Sequence, residues 1–176
     1  MIFSETPLRG AFVIEPERIE DERGFFARIW TGVEFADRGL NPALVQSNVA
    51  FNRARGTLRG MHFQKAPHQE AKLVRCTMGS IQDVIIDLRA GSPTFSKWTS
   101  VVLSSGNRLM LYVPEDFAHG YITLEDSTEV FYQMSQLYHP ESASGVRWDD
   151  PAFGIRWQIE PVVMNARDRG YPAFHP

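Results

Sequence analysis

Between residues 71 and 135 apolar and polar positions alternate with a period of two, the spacing of strands that face a core on one side. Residues 71–78 (AKLVRCTM) run into the turn pair Gly79-Ser80, and residues 81–88 (IQDVIIDL) close on the loop RAGSPT. Residues 97–103 (KWTSVVL) end at Ser104-Ser105-Gly106-Asn107, and residues 108–113 (RLMLYV) end at Pro114. Residues 119–124 and 128–135 form a further pair, split by Glu125-Asp126-Ser127. Strands at roughly ten-residue spacing with turn residues between them predict a sandwich or barrel. The valine, isoleucine, threonine and aromatic residues at these positions agree. One short helix is expected, around residues 32–39 and ending near Gly39. Pro140, Pro151, Pro161 and Pro172 predict an irregular wrap for the last third. The expected fold is all-β, an antiparallel barrel or jelly roll with few short helices.

Composition narrows the class. The chain has 176 residues, 43% of them hydrophobic, which supplies a sizeable core and excludes a disordered chain. Glycine and proline are spread throughout, without a linker, a repeat or a low-complexity tract, so residues 1–176 read as one domain. Eighteen basic residues against 21 acidic ones give a net charge of −3. That balance gives no reason to expect nucleic acid or a membrane surface as the partner of the whole protein, and makes any basic site local. The single cysteine, Cys76, excludes an intrachain disulfide and a thiolate metal cage, and fits a reducing, cytoplasmic setting. The opening MIFSETPLRG lacks the pattern of a secretory signal, and no apolar run approaches the ~18 residues of a membrane helix.

Five histidines are present, and two sit in unusual settings: His62 in LRGMHFQ and His119 in VPEDFAHGY, each beside glycine and aromatic residues near a strand end. Such a histidine serves either as a hydrogen-bonded core or loop residue or as a proton-transfer group. Arg53, Arg55, Arg59, Lys65, Lys72 and Arg75 cluster in the same stretch. If residues 58–64 and 71–78 face one cavity, Arg59 and Lys72 point inward and suit a phosphate-bearing ligand; otherwise they guard an exposed edge. Tyr132 shares the inner face with Val130 and Met134 and is either packing or a proton donor. Asp168 is either a surface residue or a carboxylate that folds back to hold a histidine tautomer.

In order along the chain stand DERGFF (21–26), QSN (46–48), GTLRGMHFQ (56–64), KLVRC (72–76), DVIIDLRAGSPTFSKW (83–98), VPEDFAHGY (113–121), EVFYQ (129–133), GVRWDDPAFGIRW (145–157) and ARD (166–168). Together these segments resemble the dTDP-4-dehydrorhamnose 3,5-epimerase family of cupin-fold sugar-nucleotide epimerases, over residues 10–172. The resemblance implies a cupin-like jelly roll, usually a homodimer in which each site lies partly under the partner, with neither metal nor organic cofactor. It implies His62 as general base, Asp168 as its orienting partner and Tyr132 as the acid on the opposite face. Arg23, Arg59 and Lys72 match positions that hold the diphosphate or polarise the ketone. Phe26, Gln46, Asn48 and His119 match other substrate contacts, and Tyr138 an aromatic that stacks on the nucleobase. The chemistry fits these residue types. A ketone at C4 acidifies the hydrogens at C3 and C5, and an imidazole with an ordinary pKa of about 6.5 can take one of them. The enolate oxygen needs a cation, for which Lys72 is the candidate.

Three positions depart from the thymidine-type pattern: Arg28 where a glutamate is usual, Ala143 where a second glutamate aligns, and Arg167 in place of lysine. The expected reaction is epimerisation at C3, C5 or both of a nucleotide-diphospho-4-keto-6-deoxyhexose, with dTDP placed ahead of GDP or CDP. Other readings are a 3,4-ketoisomerase, a non-catalytic sugar-nucleotide-binding module, and a metal-dependent cupin using His62, His68 and His119. Against the last, the closely spaced histidine pair is missing, since position 64 is Gln64.

Overall fold

Among the described residues, 1–175, the computed structural model contains thirteen strands and two short helices. In chain order these are β1 (Ile2–Glu5), β2 (Phe12–Glu15), β3 (Arg18–Asp21), β4 (Gly24–Ala27), α1 (Gly32–Ala36), β5 (Gln46–Asn52), β6 (Leu58–Gln64) and β7 (Lys72–Met78). They continue with β8 (Ser80–Asp87), β9 (Trp98–Ser104), β10 (Met110–Val113), β11 (Phe117–Thr123), β12 (Thr128–Met134), β13 (Ala143–Gly145) and α2 (Ala166–Arg169). The strands read from the alternation at 71–135 all form, within two or three residues of their expected ends.

Two antiparallel sheets face each other, one ordered β1-β2-β10-β7-β12-β5 and the other β13-β6-β11-β8-β9. The hairpin of β3 and β4 stands apart as a two-stranded ribbon. This is the expected all-β jelly roll. Between the sheets lie Val74, Leu111, Val113 and Val130 from the first and Ile81, Ile85, Leu103 and Phe117 from the second, all buried. Burying each such side chain contributes about 1.5–3 kcal/mol before the entropy of ordering it is subtracted.

Half-buried strands were expected, yet every residue of β8 and β11 is buried. The reason is the last third of the chain. Val146, Phe153, Ile155 and Trp157 pack over Met61, Val84, Ile86 and Ala118 and cover the outer face of the second sheet. Phe35 of α1, with Leu40, does the same for Ile14, Leu73, Met110 and Tyr112 on the first sheet. The wrap is irregular as expected, apart from the short β13 and the single turn of α2.

One irregularity positions the site. His62 pairs with His119 and Arg59 with Tyr121, so a step of three residues on β6 matches a step of two on β11. In a regular strand Arg59 and His62 would face opposite sides. The extra residue forms a bulge that turns both toward the space between the sheets. Glycines at 60 and 120 permit it: a Cβ on Gly60 would lie 2.7 Å from the Gly120 Cα.

Candidate active site

A cavity of about 410 Å³ opens between the two sheets, within the size range of small-molecule sites. The second sheet contributes Arg59 and His62 from β6 and His119 and Tyr121 from β11. The first contributes Gln46 and Asn48 from β5, Lys72 from β7, and Tyr132 and Met134 from β12. Tyr138 and Arg167 line the rim. Histidine and tyrosine therefore reach the same space from opposing walls.

His62 Nε2 lies 2.8 Å from Asp168 Oδ1, and Asp168 is 1% exposed. The α2 turn delivers that carboxylate. Asn165 caps the turn, its Oδ1 accepting the Asp168 backbone N–H at 2.7 Å, and the second carboxylate oxygen accepts the Gly60 N–H at 3.1 Å. Burial alone pushes the Asp168 carboxyl up, but the His62 contact, the Gly60 N–H and nearby Arg167 outweigh it and hold the group below its ordinary value. An ionised Asp168 accepts the Nε2 proton of His62. The lone pair of the neutral ring then sits on Nδ1, which has no protein hydrogen bond among the described residues.

Opposite, the Tyr132 phenol is raised above its ordinary pKa by burial, against the lowering effect of Arg59, so it stays neutral and able to donate a proton. Lys72 and Glu70 are both buried, with Nζ 2.6 Å from Glu70 Oε1 and 3.4 Å from the His62 carbonyl oxygen. His119 forms a second imidazole–carboxylate pair, its Nε2 2.7 Å from Oδ1 of the fully buried Asp83. Arg59 Nε donates to Asn52 Oδ1 at 2.8 Å, Gln46 Oε1 accepts the Tyr138 N–H at 2.9 Å, and Arg167 Nη1 reaches the Tyr138 hydroxyl at 3.5 Å. Arg59, Lys72 and Arg167 bring three basic side chains to this cavity, local as the overall charge balance requires of any basic site.

The structure thus brings His62, Tyr132, Gln46, Asn48, Arg59, Lys72, His119 and Tyr138 to one cavity, with Asp168 directly behind His62. Arg23 and Phe26 are not brought there. Both sit exposed on the β3–β4 hairpin, where Arg23 pairs with Asp21 two residues away. Within one chain these two positions do not touch the cavity, because the hairpin belongs to neither large sheet. Arg28 is exposed just beyond the hairpin, whereas Ala143 and Arg167 line the cavity. The histidines considered as metal ligands do not converge: His62 and His119 are each turned to a carboxylate, and His68 stacks on His139 with centroids 3.6 Å apart.

Glu70 and Asp83 were missed by sequence reasoning. A signal existed for Asp83, an acidic residue at an inward position between Ile81 and Ile85. Glu70 precedes its strand, and its contact with Gln64 depends on how the 65–71 loop folds, which no periodicity shows.

The family model described as dTDP-4-dehydrorhamnose 3,5-epimerase matches residues 5–176. A dTDP-4-dehydrorhamnose 3,5-epimerase of Methanothermobacter thermautotrophicus is 45% identical over 172 residues, 96% of this chain and 92% of the relative. The Bacillus anthracis enzyme of the same name, solved with TDP and pyrophosphate bound, superposes with a TM-score of 0.94 at 38% identity, covering 98% of this chain and 99% of the other. A 3′-monoepimerase from Streptomyces bikiniensis, solved with dTDP-quinovose, gives a TM-score of 0.87 at 31% identity, covering 96% and 85%.

Proposed function

The chain belongs to the dTDP-4-dehydrorhamnose 3,5-epimerase family, and we propose that it inverts C3 and C5 of a dTDP-linked 4-keto-6-deoxyhexose through His62 and Tyr132. The observation that carries the residue assignment is the His62–Asp168 pair on one wall of the cavity with Tyr132 on the other.

In this reading the sugar lies between the walls with its C4 ketone toward Lys72. His62 Nδ1 takes the proton from the carbon beside the ketone. The bonding pair moves into the ring and onto the C4 oxygen, and the Lys72 ammonium stabilises the resulting enolate. Asp168 stabilises the imidazolium while it exists. Tyr132 then gives its proton to the same carbon from the opposite face, and solvent restores both groups. The ketone itself supplies the electron sink. Arg59 and Arg167 suit the diphosphate, and Tyr138 at the rim suits stacking on the base. In this reading the whole chain acts as one domain in the cytoplasm, the reducing setting that its single cysteine fits. Separately, no helix among the described residues is long and apolar enough to cross a membrane.

We further infer that two copies associate and that each lends Arg23 and Phe26 to the other's cavity. Supporting this, Ile19 and Phe26 on the hairpin and Val49 and Phe51 on the open-edged strand β5 are all exposed apolar residues. In sedimentation a dimer is expected for the parent and a monomer for Phe26→Asp; a monomeric, fully active parent overturns the shared site.

A one-centre epimerase is the second reading, favoured by the likeness to the 3′-monoepimerase. Solvent deuterium incorporation, followed by NMR on dTDP-4-keto-6-deoxyglucose, tests both. Label at C3 and C5 with product inversion is expected, and label at one position selects the second reading. Full-rate exchange in His62→Ala would overturn the assignment of the base.

A further inference from the structure

Lys72 is the cation assigned to the enolate, yet lysine is a poor choice for a fixed donor, since its four-carbon stem has many rotamers and its ammonium is a point charge. We propose that Glu70, two residues earlier, is a positioning residue that pins this ammonium for catalysis, an inference that rests on the epimerase reading above. Glu70 is 6% exposed and Lys72 7%, so both charges are removed from water and each is the other's compensation. The two oxygens of Glu70 have separate tasks. Oε1 accepts from Lys72 Nζ at 2.6 Å, and Oε2 accepts the Gln64 backbone N–H at 3.1 Å. The latter contact fastens Glu70 to β6, two residues from His62.

Gln64 is itself fixed. Its Nε2 donates to the carbonyls of His68 and Leu137, and its Oε1 accepts the His139 N–H at 2.6 Å. The ammonium has three protons. Glu70 takes one and the His62 carbonyl, at 3.4 Å, accepts a second weakly. The third is left for the cavity, beside the residue that abstracts the substrate proton. The carboxylate thus registers the enolate's cation against the base, through a chain of contacts along β6.

Glu70→Gln tests this, because the carboxamide keeps the shape and has only one acceptor for two donors. Without a pinned ammonium, kcat is expected to fall about 10–100-fold while KM stays within about threefold, the loss that follows a displacement of about 1 Å. Lys72→Met should lose at least as much. The double variant should be no slower than Lys72→Met alone, since the pair acts as a unit. A packing role would instead lower Tm and add its loss to that of Lys72→Met. Parental kcat in folded Glu70→Gln, or additive losses in the double variant, overturns the proposal. Should Glu70→Gln not fold, Glu70→Asp decides: a kcat loss at unchanged KM supports pinning and parental kcat refutes it. If the parent itself exchanges no deuterium, the epimerase reading has failed, which is separable from an active parent with an indifferent Glu70.

Discussion

Replacing Asp168 with asparagine changes almost no volume and yet forces a choice. The carboxylate accepts two hydrogen bonds, from His62 Nε2 at 2.8 Å and from the Gly60 N–H at 3.1 Å. A carboxamide has one oxygen and one NH₂ group. With its oxygen on His62, the Gly60 N–H faces another donor, at a cost of about 1–3 kcal/mol for a buried unpaired group. With its oxygen on Gly60, the NH₂ group faces Nε2, which must then carry the lone pair. The second arrangement satisfies every group and requires only a change of tautomer, so it prevails. The proton moves to Nδ1, and the base no longer points into the cavity. Loss of the correct tautomer costs on the order of 10⁴ in kcat in the serine-protease triad. At about 1.36 kcal/mol per tenfold, that is about 5 kcal/mol of barrier. Folded Asp168→Asn should therefore show kcat down by about 10³–10⁴, measured as deuterium uptake at C3 and C5. Its Tm should stay within a few degrees, and ¹⁵N NMR should report the inverted tautomer. A folded variant within tenfold of parental kcat would refute this reasoning.

Other expectations follow from single contacts. Asp87 is fully buried; burial pushes its carboxyl up, but Arg89, Ser92 and Thr94 outweigh it and bring the pKa down to about 2. An unfolded aspartate titrates near 3.9, so this stabilisation is complete above about pH 4 and is lost as pH falls through about 2. With Arg89 30% exposed and the pair partly screened, it amounts to about 2 kcal/mol. Urea unfolding should show the parent losing that amount between those pH values, and Asp87→Asn lacking it throughout. Gly145→Ala would place a Cβ 2.4 Å from the Tyr171 ring, whose centroid is 6.1 Å from that of His62. Steady-state kinetics should show kcat reduced with the fold intact by circular dichroism; unaltered kcat would show that Tyr171 does not support the imidazole.

The alternation at 71–135 was enough to place six central strands, because each has a core-facing side and turn residues at its ends. The N-terminal strands were not legible, since β3 and β4 have no buried face of their own and show no alternation. The inward direction of Lys72 and Tyr132 could be read as a strand alternation. That Arg59 and His62 share a face could not, because an odd spacing argues the reverse until the bulge at Gly60 is seen. Asp168 reaches His62 across more than a hundred residues, through a turn capped by Asn165. Only the ordered segments shared with the family pointed to that pairing. Glu70 and Asp83, the partners of Lys72 and His119, belong to contacts between elements and left little or no periodic trace.

Inversion depends most on two walls serving two faces of one ring, and Tyr132→Phe tests that directly. Incubated with dTDP-4-keto-6-deoxyglucose in D₂O, the folded variant should retain proton abstraction by His62 and return label to the face it came from. The recovered sugar would then carry deuterium with its configuration unchanged, and inverted product would fall by about 10²–10⁴, the usual contribution of a positioned acid. Inversion at the parental rate without the phenol would contradict the account.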